Sequence, residues 1–395
     1  MSINWMSLAH SMRDELVAHR RDFHQHPELA FQEVRTADIV ARELGLLGFE
    51  VQIGVGMTGV VGILDGAHDG PTVMVRCDMD ALPIQEANEV PYGSQTPGKM
   101  HACGHDGHTA IGLAVAKMMT AHRDQIAGRI KFVFQPAEES GEGATAMIND
   151  GVLSNPTPQI SIGMHLWNDM PVGDVVLTPG PVMTSSDVWK ITVRGAGGHA
   201  ARPEQTHDPV LAAGTILVAL QSIVSRNVSA LDAAVVSATT IHGGEAINVI
   251  PDKVEIAGGF RAYTPLTREL LEKRIREIAT SVATAMQCEA DFEVKLMSRP
   301  VVNDAEVTAR LRQAFDKIGG SDTLKIYDNI RWMAAEDMAV FLEKVPGTFI
   351  LVGSANHERR LDFPHHHPRF DIDEDALPIG AGLMATAVAE YLVPK

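Results

Sequence analysis

The feature that most constrains the fold is a set of three apolar runs, each followed directly by polar side chains. Residues 72–77, 129–134 and 159–164 are apolar along most of their length, which is typical of strands buried on both faces. Residues 109–121, between the first two runs, have the pattern of a helix. Together they predict an open α/β sheet, whose ligands bind beyond the carboxyl ends of the strands.

The polar residues beside these runs are of the types that bind metal ions. Five follow the strands and two lie in the loop before the helix: Asp78, Asp80, Glu138, Glu139, His165, Cys103 and His105. A thiolate and an imidazole two residues apart can reach one metal ion from a loop, and the glycine between them permits a tight turn. In extended backbone the two glutamates would point to opposite sides, so one can bind a metal while the other faces water or substrate. We therefore predict one shared site.

Each of these groups also has a simpler interpretation when taken alone. Adjacent glutamates are common in solvated turns, and a single cysteine is usually a small buried apolar residue. Three consecutive histidines at 365–367, between two prolines, fit either a solvated loop or a metal site. Only the combination of all these groups favours metal binding.

From about residue 185 the pattern changes to that of a second domain. A strand at 188–193 leads into a glycine-rich loop at 195–203, and the order that follows is helix, strand, strand, helix, strand. This β-α-β-β-α-β order is that of a ferredoxin-like unit. We predict a catalytic domain in two parts, 1–185 and 301–395, with the second domain inserted at 186–300.

The net charge bears on the expected partners, and the cysteine content bears on the expected compartment. The net charge of −17 repels phosphate backbones, so neither nucleic acid nor an anionic membrane surface is expected to bind. The 3 cysteines lie far apart, as is usual in a reducing compartment. We find no signal peptide and no run near the roughly 20 apolar residues of a membrane span, and we expect a cytoplasmic protein.

Six motifs together resemble the metal-dependent aminoacylase and amidohydrolase family. They occur in order between residues 24 and 391, at 78–83, 101–106, 135–139, 163–165, 197–200 and 366–368. That family includes hippurate hydrolases, N-acyl amino acid hydrolases and auxin-conjugate hydrolases, and it is related to the co-catalytic zinc exopeptidases. The resemblance implies a phosphorylase/hydrolase-like zinc-exopeptidase domain carrying a ferredoxin-like α+β satellite domain through which subunits dimerise.

The resemblance also implies roles for individual residues. Two divalent metal ions, zinc or manganese with cobalt or nickel as alternatives, would be held by five ligands: Cys103, His105, Glu139, His165 and His366. Glu138 falls at the position of the general base, and Asp80 at that of a carboxylate that orients a ligand histidine. His366 is chosen because the family's ligand lies two residues before Pro368, while His365 and His367 remain competitors. Related exopeptidases carry a histidine ligand where this chain has Asp78.

Three further positions match the satellite domain of the family. His199 corresponds to a histidine that reaches the active site of the neighbouring subunit, which implies a homodimer or a tetramer built from dimers. Asn248 and Arg261 correspond to positions associated with the substrate or its carboxylate. Local hydrogen bonding is an alternative interpretation of these two residues.

The function implied is hydrolysis of the amide bond of a small N-acyl amino acid. A metallo-dipeptidase or carboxypeptidase is the nearest alternative, followed by a non-catalytic metal-binding or ligand-binding protein. A zinc deaminase is disfavoured because its His-x-Glu and Pro-Cys-x-x-Cys motifs do not occur in the chain.

Overall fold

The chain folds into two compact units. A computed structural model describes residues 3–318 and 324–394. The first unit comprises Met1–Gly180, Val302–Ile330 and Asp337–Lys395, and the second comprises Pro181–Val301 with Arg331–Glu336. The last of these segments joins the second unit through backbone pairing, because the Trp332 amide donates to the Val182 carbonyl at 3.0 Å.

Both units of the described chain contain helices and strands. The helices are α1 (Trp5–Ser11), α2 (Arg13–Gln25), α3 (Val34–Leu46), α4 (His105–Ala121), α5 (Gly143–Asn149), α6 (Pro209–Leu220), α7 (Ser222–Arg226), α8 (Pro265–Ala285), α9 (Ala305–Ile318), α10 (Met338–Leu342) and α11 (Ala376–Leu392). The strands are β1 (Glu50–Val55), β2 (Gly59–Asp65), β3 (His68–Asp78), β4 (Ala127–Gln135), β5 (Ile160–Pro171), β6 (Asp174–Val176), β7 (Gly180–Met183), β8 (Ser186–Arg194), β9 (Gly198–His199), β10 (Ala234–His242), β11 (Val249–Ile250), β12 (Lys253–Ala262), β13 (Glu289–Ser298), β14 (Val301–Asn303), β15 (Lys325–Tyr327) and β16 (Gly347–Ala355).

The first unit is built on a mixed sheet with the order β1-β2-β4-β3-β5-β16-β6-β15. Its centre is parallel, since β3 pairs with β4 and β5, and β5 pairs with β16. Helices α4 and α11, which are buried along most of their length, pack on these central strands and on each other. Burial on both faces explains the apolar runs in the sequence, and the predicted α/β class is confirmed.

The order of the strands reverses between β3 and β5. From β3 the chain passes through α4 to β4 on one side, and β5 later joins on the other side. In open α/β sheets the crevice at such a reversal, beyond the carboxyl ends of the strands, is the usual ligand site. Asp78 ends β3, and the Glu138–Glu139 pair follows β4.

Local structure around the predicted ligands differs from expectation in three places. Helix α4 begins at His105 rather than at residue 109, because Gly104 adopts a left-handed φ of 93° that directs the chain into the helix. Strand β5 does not end before His165 but continues to Pro171, because β16 pairs with it beyond that residue. Glu138 and Glu139 lie in a turn rather than in extended backbone, with the Gly141 amide bonded to the Glu138 carbonyl at 2.7 Å.

The second unit has the predicted ferredoxin-like topology. Its sheet has the order β10-β12-β8-β13, and all three pairings are antiparallel. Helices α6 and α8 pack on this sheet and on each other, enclosing a core of their own. The predicted fold class, an α/β domain that carries an α+β domain of ferredoxin-like topology, is therefore confirmed.

One segment of the second unit bears on the expectation that the chain has no membrane span. Among the described residues, the helical stretch Pro209–Arg226 is long and apolar enough to cross a membrane, by length and composition only. Its inner face, including Ala213, Ile216 and Leu220, is buried in the core of the unit. Val210, Leu211 and Val218 are exposed on the opposite face, and packing within the core does not account for their apolar character.

Candidate metal centre

One group of donor atoms lies where β5 and the start of α4 meet. Cys103, His105 and His165 are all buried, and one ligand atom from each lies within 4.8 Å of the other two. Cys103 Sγ is 3.5 Å from His165 Nε2. Sulfur and imidazole nitrogen are the donors that zinc prefers in proteins, so the group fits one divalent metal ion.

A second group shares the cysteine with the first. Cys103, Glu139 and His366 also have ligand atoms within 4.8 Å of one another, as do His105, Glu138 and Glu139. His366 Nε2 is 3.3 Å from a carboxylate oxygen of Glu139. Because the thiol belongs to two groups, the donors suit a pair of neighbouring metal ions better than a single one.

The structure separates the three consecutive histidines. His365 Nε2 accepts the Asn168 amide at 3.1 Å, and His367 Nδ1 accepts the Arg369 amide at 3.0 Å. His366 has a left-handed φ of 65°, and its own amide donates to the Ala102 carbonyl at 2.8 Å. Of the three rings, His366 is the one that meets a predicted ligand carboxylate, as the family pattern implies.

Asp80 links two of the candidate ligands. His105 Nδ1 lies 2.9 Å from the Asp80 carbonyl oxygen and 3.2 Å from one of its carboxylate oxygens. The other carboxylate oxygen accepts the Glu139 amide at 3.0 Å. A proton on His105 Nδ1 would leave Nε2 free to bind a metal ion, which is the arrangement expected of a carboxylate that orients a ligand histidine.

The electrostatic surroundings favour a cation. Burial lowers the pKa of His105, but the carboxylates of Asp78, Asp80 and Glu139 outweigh burial and raise that pKa to about 10. Within the described residues, His105 Nε2 and Glu139 Oε1 are buried without a hydrogen-bond partner. Buried polar atoms are normally satisfied, and a divalent metal ion would satisfy both.

His165 is held in a form that can bind a metal. Its Nδ1 donates to the Leu166 carbonyl at 2.7 Å, which leaves the Nε2 lone pair facing the cysteine. Burial, helped by His108 and His365, keeps the pKa of His165 well below its usual range. No proton therefore competes for Nε2 near neutral pH.

Two residues beside the donors were given no specific role by the sequence. The Asp78 carboxylate accepts from His108 Nδ1 at 2.5 Å and from Arg76 Nη1 at 2.6 Å, so its oxygens are engaged within the protein. His108 lies three residues after His105 and on the same side of α4. Once α4 is known to begin at His105, the spacing of three residues places His108 on the same face of the helix, beside the site.

The remaining three predicted residues belong to the second unit. Exposed His199, in β9, pairs with Val249 of β11, and the carbonyl of Asn248 accepts the Ala200 amide at 3.1 Å. Arg261 lies in β12, opposite Val235. The five candidate ligands, by contrast, all belong to the first unit.

A buried cluster of ion pairs connects α2 to the segments that carry the candidate ligands. Arg20 of α2 is fully buried and donates to Asp106 at 2.8 Å and to Asp371 at 2.7 Å. Asp106 directly follows His105, and Asp371 lies in the segment after His366. Burial would raise the pKa of Asp106, but Arg20 and His24 outweigh burial and hold that pKa well below its usual range.

Removing Arg20 should destabilise the first unit strongly. We expect Arg20→Met to lower the free energy of unfolding by about 3–5 kcal/mol, because it leaves buried carboxylates without their cation. The neighbouring Arg21 is the matched control, since it bonds Glu374 from a side chain that is 44% exposed. Arg21→Met should cost about 1 kcal/mol or less in the same urea denaturation. Equal losses in the two variants would contradict the assigned importance of the cluster.

Comparison with known proteins gives a family and named relatives. Residues 74–390 match the sequence model of peptidase family M20/M25/M40. An IAA-amino acid hydrolase, ILR1-like 4, of Arabidopsis thaliana is 40% identical over 387 residues, covering 96% of this chain and 86% of the relative. N-acetylcysteine deacetylase of Bacillus subtilis is 37% identical, covering 94% and 95%. The crystal structure of a dinuclear metal-binding M20 peptidase from Bacillus subtilis superposes with a TM-score of 0.84 at 33% identity, covering 96% of this chain and 98% of the other.

Proposed function

Because the chain belongs to peptidase family M20/M25/M40, we propose that it cleaves N-acyl amino acids to a carboxylic acid and a free amino acid. The protein is a metal-dependent amidohydrolase. The observation that carries the proposal is the shared Cys103 thiol, common to two donor groups, with Glu138 beside them. The relatives named for N-acetylcysteine and for indoleacetyl conjugates support an acyl amino acid as substrate.

The proposed donor groups divide the chemistry between the metals and the protein. Two divalent ions at such donors supply Lewis acidity, which lowers the pKa of a water and polarises a carbonyl. Zinc or manganese suits the mixture of sulfur, nitrogen and oxygen donors, and cobalt or nickel are further candidates. Cys103, His105, Glu139, His165 and His366 would hold them.

Glu138 is the proposed general base and acid. Its carboxylate lies 3.9 Å from His105 Nε2, beside the donors. In the proposed reaction Glu138 takes a proton from the attacking water, whose oxygen bonds to the amide carbon. It then gives that proton to the amide nitrogen as the C–N bond breaks, because without the proton the nitrogen would have to leave as an anion, which is too poor a leaving group. The products are a carboxylic acid and an amine.

The substrate carboxylate is assigned to the second unit. Arg261 Nη1 is buried without a hydrogen-bond partner in the described parts of the chain, 3–318 and 324–394. A guanidinium with a free N–H group is well suited to a carboxylate, which it binds through two parallel hydrogen bonds. Asn248 would add an amide donor. The proposed roles make a free carboxyl group on the substrate a requirement for tight binding.

The second unit also offers a surface for a second copy of the chain. Val210, Leu211 and Val218 are exposed on α6, and β10 is the edge strand of its sheet. Strand edges at the border of a sheet and exposed apolar side chains on a helix are both features through which proteins associate. We propose a homodimer, or a tetramer built from dimers, in which His199 completes the active site of the neighbouring subunit.

The cysteines bear on where the enzyme works. Cys77, Cys103 and Cys288 are all buried, and none of them forms a disulfide bond. A thiolate that binds metal is destroyed by oxidation, so the proposed chemistry suits a reducing compartment. We propose the cytoplasm.

Sharing of the site between subunits predicts complementation. His199→Ala should lower turnover by about 10² or more with its metal content unchanged, because the residue is proposed to stabilise the oxyanion. Heterodimers of His199→Ala with inactive Glu138→Gln should regain activity, since one of their two sites would contain neither change. Purified heterodimers, tagged differently on each subunit, are the sample to assay. Absence of regained activity in these heterodimers would contradict the sharing.

An assay that compares the two kinds of substrate decides whether the enzyme prefers an acyl amino acid or a peptide. We would assay metal-reconstituted protein on acetyl, benzoyl and indoleacetyl conjugates of one amino acid and on a dipeptide with the same carboxy-terminal residue. We expect kcat/KM for at least one conjugate to exceed that for the dipeptide by about tenfold or more, equivalent to about 1.4 kcal/mol. Preference for the dipeptide would support a dipeptidase or carboxypeptidase, and metal binding without any hydrolysis would support a binding protein.

A further inference from the structure

His108 sits beside the metal-binding groups without offering them a free nitrogen. It is buried in the first turn of α4. Its Nδ1 donates to Asp78 at 2.5 Å, and its Nε2 accepts the backbone amide of Leu166 at 2.8 Å. Asp78, His105 and His108 also have ligand atoms close enough to one another to suggest a further metal-binding group. Because both of its ring nitrogens are already bonded within the protein, a ligand role is disfavoured.

The Leu166 amide bonds to His108 because the pairing of β3 with β5 ends before Leu166. The pairing of β3 with β5 stops at Arg76 and Gly163, whereas β5 continues along β16. Leu166 therefore lies beyond the β3–β5 pairing, and its amide bonds to a histidine side chain instead. A buried amide without a partner is costly, so removal of the acceptor would favour rearrangement of the backbone at this point.

The same peptide segment holds a candidate metal ligand. The Leu166 carbonyl accepts from Nδ1 of His165 at 2.7 Å. The His108 and His165 rings also pack edge to face, with centroids 4.5 Å apart. Asp78, itself bonded to Arg76, keeps the proton of His108 on Nδ1 and so leaves Nε2 as the acceptor. Asp78, His108, Leu166 and His165 thus form a continuous chain of hydrogen bonds.

We propose that His108 is a positioning residue, which fixes the ring orientation and tautomer of His165 by accepting the Leu166 amide. The inference rests on the proposed function only in taking His165 to be a metal ligand. It also gives Asp78 a role at the position where related exopeptidases carry a ligand histidine. Here the carboxylate acts on the metal site through His108 and not by coordination.

Two isosteric substitutions separate the two hydrogen bonds of His108. The amide of glutamine in His108→Gln can reach the position of Nε2 and accept the Leu166 amide, but it gives up the bond to Asp78. The shorter asparagine in His108→Asn keeps a donor for Asp78 and loses the acceptor for Leu166. His108→Leu is of similar size and lacks both groups, so it replaces His108→Asn if that variant does not fold.

The measurement is metal affinity, by competition between zinc and a chelator on metal-free protein. We expect His108→Asn to bind one of its two zinc ions about 10–100-fold more weakly, the usual effect of losing a group that orients a ligand. The other ion, at Cys103, Glu139 and His366, should bind as before. His108→Gln should stay within about threefold of the unsubstituted protein for both ions. His122→Asn, at the far end of α4, is the control and should change neither affinity.

Outcomes of this experiment decide between positioning and simple packing. Equal affinities in the Asn, Gln and unsubstituted proteins would overturn the inference, as would equal losses in the Asn and Gln variants. With cobalt in place of zinc, His108→Asn should bind half as many cobalt ions per chain, and these ions should still give the thiolate charge-transfer band. Loss of the whole band would also overturn the inference. If the expected difference is found but no N-acyl amino acid is hydrolysed, the proposed function alone fails. If the unsubstituted protein binds no zinc, both fail.

Discussion

Glu138→Gln should abolish turnover while leaving both metal ions in place. The substitution preserves size and shape but removes the carboxylate that is proposed to carry the proton from water to the leaving amine. We expect kcat to fall by about 10³-fold or more, within the range attributed to a positioned general acid–base. Metal content, measured by elemental analysis after dialysis, should remain at two ions per chain, because Glu138 is not one of the proposed ligands.

The neighbouring glutamate provides the contrast. Glu139→Gln changes the same functional group one residue away, but the Glu139 carboxylate contacts His366 and belongs to two of the donor groups. We expect that variant to lose metal as well as turnover. Activity in Glu138→Gln close to that of the unsubstituted enzyme would remove Glu138 from the mechanism. If Glu138→Gln lost metal and Glu139→Gln did not, the roles assigned to the two residues would have to be exchanged.

Cys103→Ala should have the largest effect on metal binding. Its thiol is the donor common to the group with His105 and His165 and to the group with Glu139 and His366. Loss of one side chain therefore weakens both sites at once, and hydrolysis that depends on two metals stops. We expect clearly fewer than two metal ions per chain after dialysis against a chelator, and turnover reduced by about 10³-fold or more.

The other buried cysteines show whether the effect is specific. Cys288→Ala removes a thiol from the core of the second unit, and Cys288 belongs to none of the donor groups. It should reduce stability by about 1 kcal/mol and leave metal content unchanged. If Cys103→Ala keeps two ions per chain, the thiol is not a shared ligand and the pairing of the two groups through it is wrong.

Much of the fold follows from patterns that act over short distances. The apolar runs of β3 and β4 and the β-α-β-β-α-β order of the second unit could be predicted, because burial and turn chemistry leave a local trace. The continuation of β5 through His165 could not, since it depends on pairing with β16, almost 190 residues later. The start of α4 depends on the left-handed φ of Gly104, which no hydrophobic period records.

The candidate site could likewise be predicted only in part from the sequence. Residue types and family motifs selected the donors, but the geometry around them comes from distant partners. Which histidine of 365–367 faces Glu139 depends on Asn168, whose amide engages His365. The burial of Arg20 likewise depends on Asp106 and Asp371, which lie 86 and 351 positions away and accept hydrogen bonds from its guanidinium. The role proposed for His108 depends on where the pairing of β3 with β5 stops, which no local pattern in the sequence records.

The central claim is that two metal ions, sharing Cys103, support hydrolysis of an N-acyl amino acid. Titration of metal-free protein with zinc or manganese, with hydrolysis of an N-acyl amino acid followed at each addition, tests it most directly. The account predicts that activity rises until two equivalents per chain have bound and then stays constant, and that Glu138→Gln binds the same two equivalents without activity. Full activity at one equivalent, or hydrolysis that persists in metal-free protein, would contradict it.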